Sequence, residues 1–288
     1  MDAGTLIYNY MPSDLPTPTL LGDRSGNDPL VTAAAKTEVM LLDCPQCQDE
    51  MQQHNITVLL NTATPTCALL YNKAVVVAPE DLKGLKVRAT GGMALLVGNL
   101  GAVPVNTPLT DVYEGLQRGQ LDCTLLSMDN LEGAGLWDVV KNVTELPMGT
   151  FTVGFLAVNA DVWGSLSDAE MAAFYESGVQ AICGYEEASV LRVAAARDAG
   201  PGRGTTMNSP TPELVDAVQS AQSVEDDRLL GVASGRGVKD PETVRDAVAK
   251  ATTKWEAIVV DIGGQPWSEA QWDAYQAALR DEIFTNLA

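Results

Sequence analysis

The sequence contains one histidine and lacks the short motifs of common catalytic sites. His54 lies in the polar stretch Gln52 to Asn55, where we expect a solvated helix end, so a Ser–His–Asp or Cys–His relay has no suitable base. GxSxG, HExxH and a phosphate loop ending in GK[ST] do not occur. These absences predict a protein that is not an enzyme and that has no metal, cofactor or catalytic residues.

Basic side chains are also scarce. Thirty-eight acidic and eighteen basic residues give a formal charge of −20. This charge repels phosphate backbones and anionic lipid surfaces, so neither a nucleic acid nor a polybasic membrane contact is expected. The longest uncharged stretch, Asn55 to Asn72, contains Asn, Thr and Pro and is too polar for a membrane span, which predicts a soluble protein without membrane insertion.

Cysteine is infrequent and odd in number, with five residues. Cys44 and Cys47 have CxxC spacing, for which a structural or incidental role is favoured, with a disulfide, a redox pair or a metal site as alternatives. Cys123 lies in a predicted strand, where a packed thiol is favoured over a nucleophile. The acidic pairs Glu186-Glu187 and Asp226-Asp227 lie in helical contexts and are expected to face solvent.

The middle of the chain has a regular α/β pattern. Predicted strands at residues 85–89, 103–105 and 121–126 alternate with predicted helices at 93–100 and, capped by Thr110, at 112–118. Short links between them predict right-handed crossovers and a parallel sheet. With 288 residues the chain is longer than a typical single domain, so two lobes or one large α/β unit are expected.

A long helix is predicted after a strand at residues 151–158. Ser167 to Glu170 forms a capping box, and the pattern continues without proline to Gly200. About 32 helical residues would measure roughly 48 Å, which suggests a helix that spans two lobes. Further helices are predicted to begin at Pro241, after the cap residue Asp240, and at Ser268. The resulting division is lobe I at 1–67 and 152–200, lobe II at 68–151, and C-terminal helices at 201–288 that pack across both lobes.

Three spaced segments carry a family resemblance. Asp81 to Arg88 reads DLKGLKVR, Leu100 to Val105 reads LGAVPV, and Asp111 to Asp122 reads DVYEGLQRGQLD. In this order they resemble the substrate-binding proteins of TRAP transporters, the DctP-like family. The resemblance implies a two-lobed periplasmic binding protein of type II-like α/β fold. It also implies that the chain begins inside a strand near Ala3 to Leu6, without its signal peptide and the first part of lobe I.

The resemblance also implies a binding site. Arg88 ends a predicted parallel strand, where ligands of open α/β sheets bind, and the family uses the matching arginine to clamp a carboxylate. Cys123, Leu126 and Ala68 occupy positions where some members have Gly, Asn and a second Arg, so a monocarboxylate or a larger apolar acid is expected. The other candidate ligand-binding residues are Ser127, Met128, Asn130, Leu126, Leu109, Phe151, Tyr10 and Tyr71.

The resulting functional prediction is an extracytoplasmic solute-binding protein. It would bind an organic acid between two lobes that close on the ligand, and deliver it to the permease subunits of a TRAP transporter. Three alternatives remain open at this stage. One is the ligand-binding module of a sensor or chemoreceptor, and another is an enzyme, such as a small hydrolase or transferase, that uses Cys123 or an acidic pair. The third is that the missing N-terminal part leaves this form unable to bind a ligand.

Overall fold

The computed structural model describes residues 2–23 and 26–287. The strands of these residues are β1 (Ala3–Leu6), β2 (Ile56–Ala63), β3 (Ala68–Tyr71), β4 (Lys86–Arg88), β5 (Val103–Val105), β6 (Cys123–Leu126), β7 (Asn142–Glu145), β8 (Thr152–Asn159) and β9 (Thr206–Asn208). The helices are α1 (Pro16–Asp23), α2 (Pro29–Glu38), α3 (Pro45–Gln53), α4 (Gly92–Asn99), α5 (Val112–Gln117), α6 (Asn130–Gly133), α7 (Ala160–Gly164), α8 (Asp168–Ala199), α9 (Pro212–Gly235), α10 (Pro241–Ile262) and α11 (Glu269–Glu282). None of the helices among these residues combines the length and apolar character that a membrane span requires.

Local sequence explains where the long helices begin. Before α8, the Ser167 hydroxyl and backbone N–H both donate to the Glu170 carboxylate, as the capping-box pattern predicts. Asp240 caps α10 by accepting from the Thr243 N–H at 3.3 Å, and Pro241 occupies the first turn. Thr110, in contrast, is not a helix cap, because it lies inside a short 3₁₀ turn that precedes α5. The predicted 32-residue helix α8 is confirmed.

The chain divides into two compact units. The first contains the residues up to Ala63, Thr152–Glu187 and those from Leu230 onward, and the second contains Thr64–Phe151 and Ala188–Leu229. The sequence placed residues 188–200 in lobe I, whereas the structure assigns them to the second unit, where apolar side chains of α8 and α9 complete the core. Residues 201–288, for which helices that pack across both lobes were predicted, belong partly to each unit.

The first unit is built on a three-stranded antiparallel sheet of order β1-β8-β2. Helix α2 packs on β2, and α10 packs on α2. Two buried aromatic side chains of the C-terminal helices form hydrogen bonds with α2. The Trp255 indole donates to Glu38 Oε2 at 2.6 Å, and the Tyr275 hydroxyl donates to the Leu30 carbonyl at 2.7 Å. Both bonds satisfy polar groups that would be costly to bury alone.

The second unit is built on a six-stranded mixed sheet of order β5-β4-β6-β3-β7-β9. Strands β5, β4 and β6 are parallel, which confirms the parallel arrangement predicted for them. Strand β3 is antiparallel to both β6 and β7. Alternate residues of β3 face opposite sides: Leu69 belongs to a hydrophobic cluster with α4 and α9, and Leu70 to a cluster with α5, α6 and α8. A sheet covered on both faces confirms the α/β class.

Candidate functional site

Arg88 is the last residue of β4, at the carboxyl edge of the parallel strands. It lies in register with Val105 of β5 and Thr124 of β6. Since β3 runs antiparallel to β6, its amino end at Ala68 reaches the same edge. Backbone segments from four strands therefore meet around Arg88, as expected for a ligand-binding edge of an α/β sheet.

The Arg88 side chain is buried, with 6% of its surface exposed. Its Nε donates to the Thr107 carbonyl at 3.1 Å, which orients the planar guanidinium group. Desolvating a guanidinium is costly, and the cost falls when an anion binds it with good geometry. A buried and oriented arginine is thus suited to bind a carboxylate through two parallel N–H donors.

The loop after β6 supplies a polar cluster at the same edge. Ser127 is 2% exposed, and its hydroxyl donates to Asp129 Oδ1 at 2.5 Å. The Asn130 amide donates to the Ser127 carbonyl and hydroxyl, both at 3.1 Å, and to Asp129 Oδ1 at 3.2 Å. Asp129 was not predicted from the sequence, although three predicted site residues lie within two positions of it, because a carboxylate is unexpected next to an anion clamp.

Cys67 lies at the same edge, one residue before β3. Burial raises the pKa of its thiol to about 12; among the smaller influences, the positive charge of Arg88 lowers this pKa and the negative charge of Asp129 raises it. Cys67 precedes Ala68, which pairs with Leu126 at this edge, and the loop that holds Asp129 follows Leu126. Arg88 and this loop therefore leave the same edge of the sheet.

The remaining predicted site residues differ in their burial. Leu126 is the partly buried last residue of β6, whereas Met128 is 2% exposed and belongs to the core cluster around α6. Leu109 is 37% exposed in the turn before α5. Phe151 ends the first segment of the second unit, and its backbone N–H donates to Thr64 Oγ1 at 2.9 Å. The roles of these four residues in ligand binding remain predictions.

The two tyrosines lie elsewhere. Tyr71 is fully buried at the opposite end of β3, and its hydroxyl lies 2.7 Å from Thr144 Oγ1 and accepts from the Asn208 amide at 3.0 Å. These bonds give Tyr71 a place in the core rather than at a ligand surface. Tyr10 belongs to the first unit and is 52% exposed, so its role remains a prediction.

The groups considered for catalysis differ in their exposure. Cys123 is completely buried, and burial raises the pKa of its thiol, which disfavours the nucleophilic thiolate. The expectation that Glu186 faces solvent is wrong, because this side chain is 0% exposed and accepts the Ala63 N–H at 2.9 Å. Its neighbour Glu187 is exposed as expected.

The CxxC pair and His54 lie at the two ends of α3. His54 lies at the exposed end of α3 with Nε2 3.1 Å from the Asp14 carbonyl, as expected for a solvated helix end. Cys44 and Cys47 form a disulfide at the start of α3, so the favoured interpretation without a disulfide is corrected. Among residues 2–23 and 26–287, no three His, Cys, Asp or Glu side chains are grouped to hold a metal ion.

Comparison with known families gives a match over more than half of the chain. The sequence model for bacterial extracellular solute-binding proteins of family 7, called DctP, matches residues 32–190. The ectoine-binding periplasmic protein TeaA of Halomonas elongata is 30% identical over 132 residues, which are 43% of this chain. That match spans only 38% of the length of TeaA.

Solved structures share the fold at low sequence identity. A TRAP solute-binding protein from Rhodoferax ferrireducens with copurified benzoate is 20% identical, with a TM-score of 0.77, over 90% of this chain and 80% of that one. A TRAP periplasmic solute-binding protein from Bordetella bronchiseptica with bound mandelate is 19% identical, with a TM-score of 0.74, over 88% and 81% of the two chains. These similarities confirm the predicted periplasmic-binding-protein fold.

Proposed function

The chain belongs to the bacterial extracellular solute-binding proteins of family 7, and on this premise we propose that it binds an organic acid through Arg88. In this proposal the protein captures the acid outside the cytoplasm and delivers it to the membrane permease of a TRAP transporter. It binds its ligand without turnover.

The observation that supports this proposal most directly is the buried Arg88 at the carboxyl edge of three parallel strands. A protein with a net charge of −20 repels anions at long range, so an anionic ligand needs a local cation with fixed geometry. The Thr107 carbonyl holds the guanidinium through Nε. A carboxylate bound there would form charge-assisted hydrogen bonds in a desolvated environment, where such bonds are stronger than in water.

The proposed ligand class is consistent with the named ligands of similar proteins. TeaA is named for ectoine, and the two solved structures contain benzoate and mandelate. Benzoate and mandelate share a benzene ring, whereas ectoine has a nitrogen-containing ring, and all three compounds carry one carboxylate. An arginine that binds this shared group is a suitable common element for a site whose other walls differ.

The proposed location is supported by the family and by the disulfide. Disulfides persist in oxidising compartments such as the bacterial periplasm and are rare in the cytosol. Cys44 and Cys47 are paired in this chain, and both are buried. An extracytoplasmic location is also where a solute-binding protein would meet both its ligand and a permease.

Thermal-shift and calorimetric titration with a panel of monocarboxylates tests the proposal. An acid present at about 100 times its Kd should stabilise the wild-type protein by about 2.7 kcal/mol. Arg88→Ala should weaken binding by about 2–5 kcal/mol, or roughly 30-fold or more in Kd. Arg88→Lys should restore part of this loss, because it keeps the charge but not the planar pair of donors.

Arg118→Ala is the matched control. Arg118 belongs to the same unit, is 63% exposed and forms an exposed ion pair with Glu114, so its removal should leave the Kd unchanged. Equal stabilisation of wild-type and Arg88→Ala protein by the same acid would contradict the role of Arg88. Chemical conversion of the acid during incubation would contradict the proposed binding without turnover.

A further inference from the structure

The carboxylate of Asp129 is held in a fixed orientation. Its Oδ1 accepts the Ser127 hydroxyl at 2.5 Å and the Asn130 amide at 3.2 Å. The serine is buried, and the Asp129 side chain is only 16% exposed. A partly buried carboxylate with two donors on one oxygen is restricted to a narrow range of orientations, which is the condition for selective recognition.

Asp129 lies beside an exposed cation, on the loop that follows the strand paired with β4. Arg88 pairs in register with Thr124, and Ser127 follows Thr124 by three residues, so the Asp129 loop leaves the sheet beside Arg88. Asp129 Oδ2 lies 3.9 Å from Nε of Arg192, whose side chain is 48% exposed.

This arrangement favours some carboxylate ligands over others. When a ligand carboxylate binds Arg88, the rest of the ligand can extend along the edge of the sheet from which the Asp129 loop leaves. A second ligand carboxylate would then face a like charge with limited solvent screening, which is unfavourable. An N–H or O–H group at the same position would instead donate a charge-assisted hydrogen bond to Asp129.

We propose that Asp129 is a specificity determinant of the Arg88 site, which favours monocarboxylates that carry an N–H or O–H donor and rejects dicarboxylates. The inference rests on the proposed function, because it requires a carboxylate on Arg88. It adds the second chemical group of the ligand and the residue that recognises it.

Matched ligand series measured by calorimetry test the inference on the full chain. On an aromatic ring, the series compares benzoate, the three hydroxybenzoates and the three benzenedicarboxylates. On a five-membered ring, the series compares cyclopentanecarboxylate, pyroglutamate and cyclopentane-1,2-dicarboxylate. We expect a donor-bearing monocarboxylate to bind about tenfold tighter than its parent acid in at least one series, and the dicarboxylate to bind most weakly.

Asp129→Asn keeps the size and an oxygen acceptor while it removes the charge. It should reduce the ratio between the affinities of the donor-bearing acid and its parent acid about tenfold, and increase the affinity for the dicarboxylate by a similar factor. Arg192→Gln, a change at a half-exposed position, should further weaken dicarboxylate binding because it removes a cation beside Asp129. Asp138→Asn, at an exposed position of the same unit, is the matched control and should change neither preference.

The possible failures are distinguishable. Binding that depends on Arg88, with ligand preferences that Asp129→Asn leaves unchanged, contradicts this inference alone. A wild-type preference for the dicarboxylate in both series also contradicts it. If the wild-type protein binds no carboxylate of either series, both this inference and the proposed function fail. Melting curves of the ligand-free variants show whether a loss of binding reflects a loss of folding.

Discussion

The buried carboxyl of Glu186 gives the sharpest prediction about stability. It lies on α8 with no exposed surface, and its Oε1 accepts the Ala63 N–H at 2.9 Å. Within the described residues, Oε2 has no hydrogen-bond partner. Burial raises the pKa of Glu186 well above its usual range, the Ala63 N–H partly opposes this, and the charge of Asp28 raises the pKa further. The folded protein therefore retains a proton that the unfolded chain releases.

The sign of the pH dependence follows from this difference. Above the usual glutamate pKa of about 4.3, the folded state binds more protons at this site than the unfolded state. The free energy of unfolding therefore decreases as pH rises toward the folded-state pKa, by at most about 1.4 kcal/mol per pH unit. Glu186→Gln is neutral at every pH and keeps an oxygen that can accept the Ala63 N–H. In this variant, the free energy of unfolding should lack the part of its pH dependence that Glu186 contributes.

Thermal melts from pH 4.5 to 7.5 measure the effect. The melting temperature of Glu186→Gln should increase relative to wild type as pH rises, by up to about 3 °C per pH unit for a chain of this size. The matched control is Glu187→Gln, because Glu187 is the adjacent residue and is exposed. Its melting curve should follow wild type across the range. A constant difference between Glu186→Gln and wild type at all pH values would refute the reasoning.

Two further substitutions test the core of each unit by urea unfolding. Trp255→Phe removes the indole N–H that donates to Glu38 at 2.6 Å and leaves a small void. We therefore expect the free energy of unfolding to fall by about 2–4 kcal/mol. A decrease below about 0.5 kcal/mol would contradict the importance of this hydrogen bond. Tyr71→Phe removes the hydroxyl near Thr144 and should cost about 1 kcal/mol without changing ligand affinity. A large change in affinity in Tyr71→Phe would instead support a site role for Tyr71.

The predictions that held depend on residues close together in sequence. The capping box Ser167 to Glu170 marks the start of α8, and Asp240 with Pro241 marks the start of α10. The parallel order of β4, β5 and β6 follows from strands joined by short helical connections. These features are determined by backbone conformation and by neighbours within a few residues, which the sequence displays directly.

The candidate site was only partly predictable for a different reason. The sequence placed Arg88 at the end of a strand, and Ser127 and Asn130 after the next parallel strand, which the structure reproduces. It could not show that Ser127 and Asn130 would both donate to the Asp129 carboxylate. Sequence motifs point to groups that attract a ligand, and a carboxylate proposed to act by repulsion has no such motif.

By itself, the sequence determined the α/β class, the long helix, the strand that ends at Arg88 and the family to which the chain belongs. Only the tertiary structure decided which polar side chains are buried. Glu186 is buried because α8 packs where Ala63 ends a strand 123 residues earlier, and Tyr71 is buried because both faces of its sheet are covered. Burial depends on contacts between distant segments, and these contacts set the protonation state of a group such as Glu186.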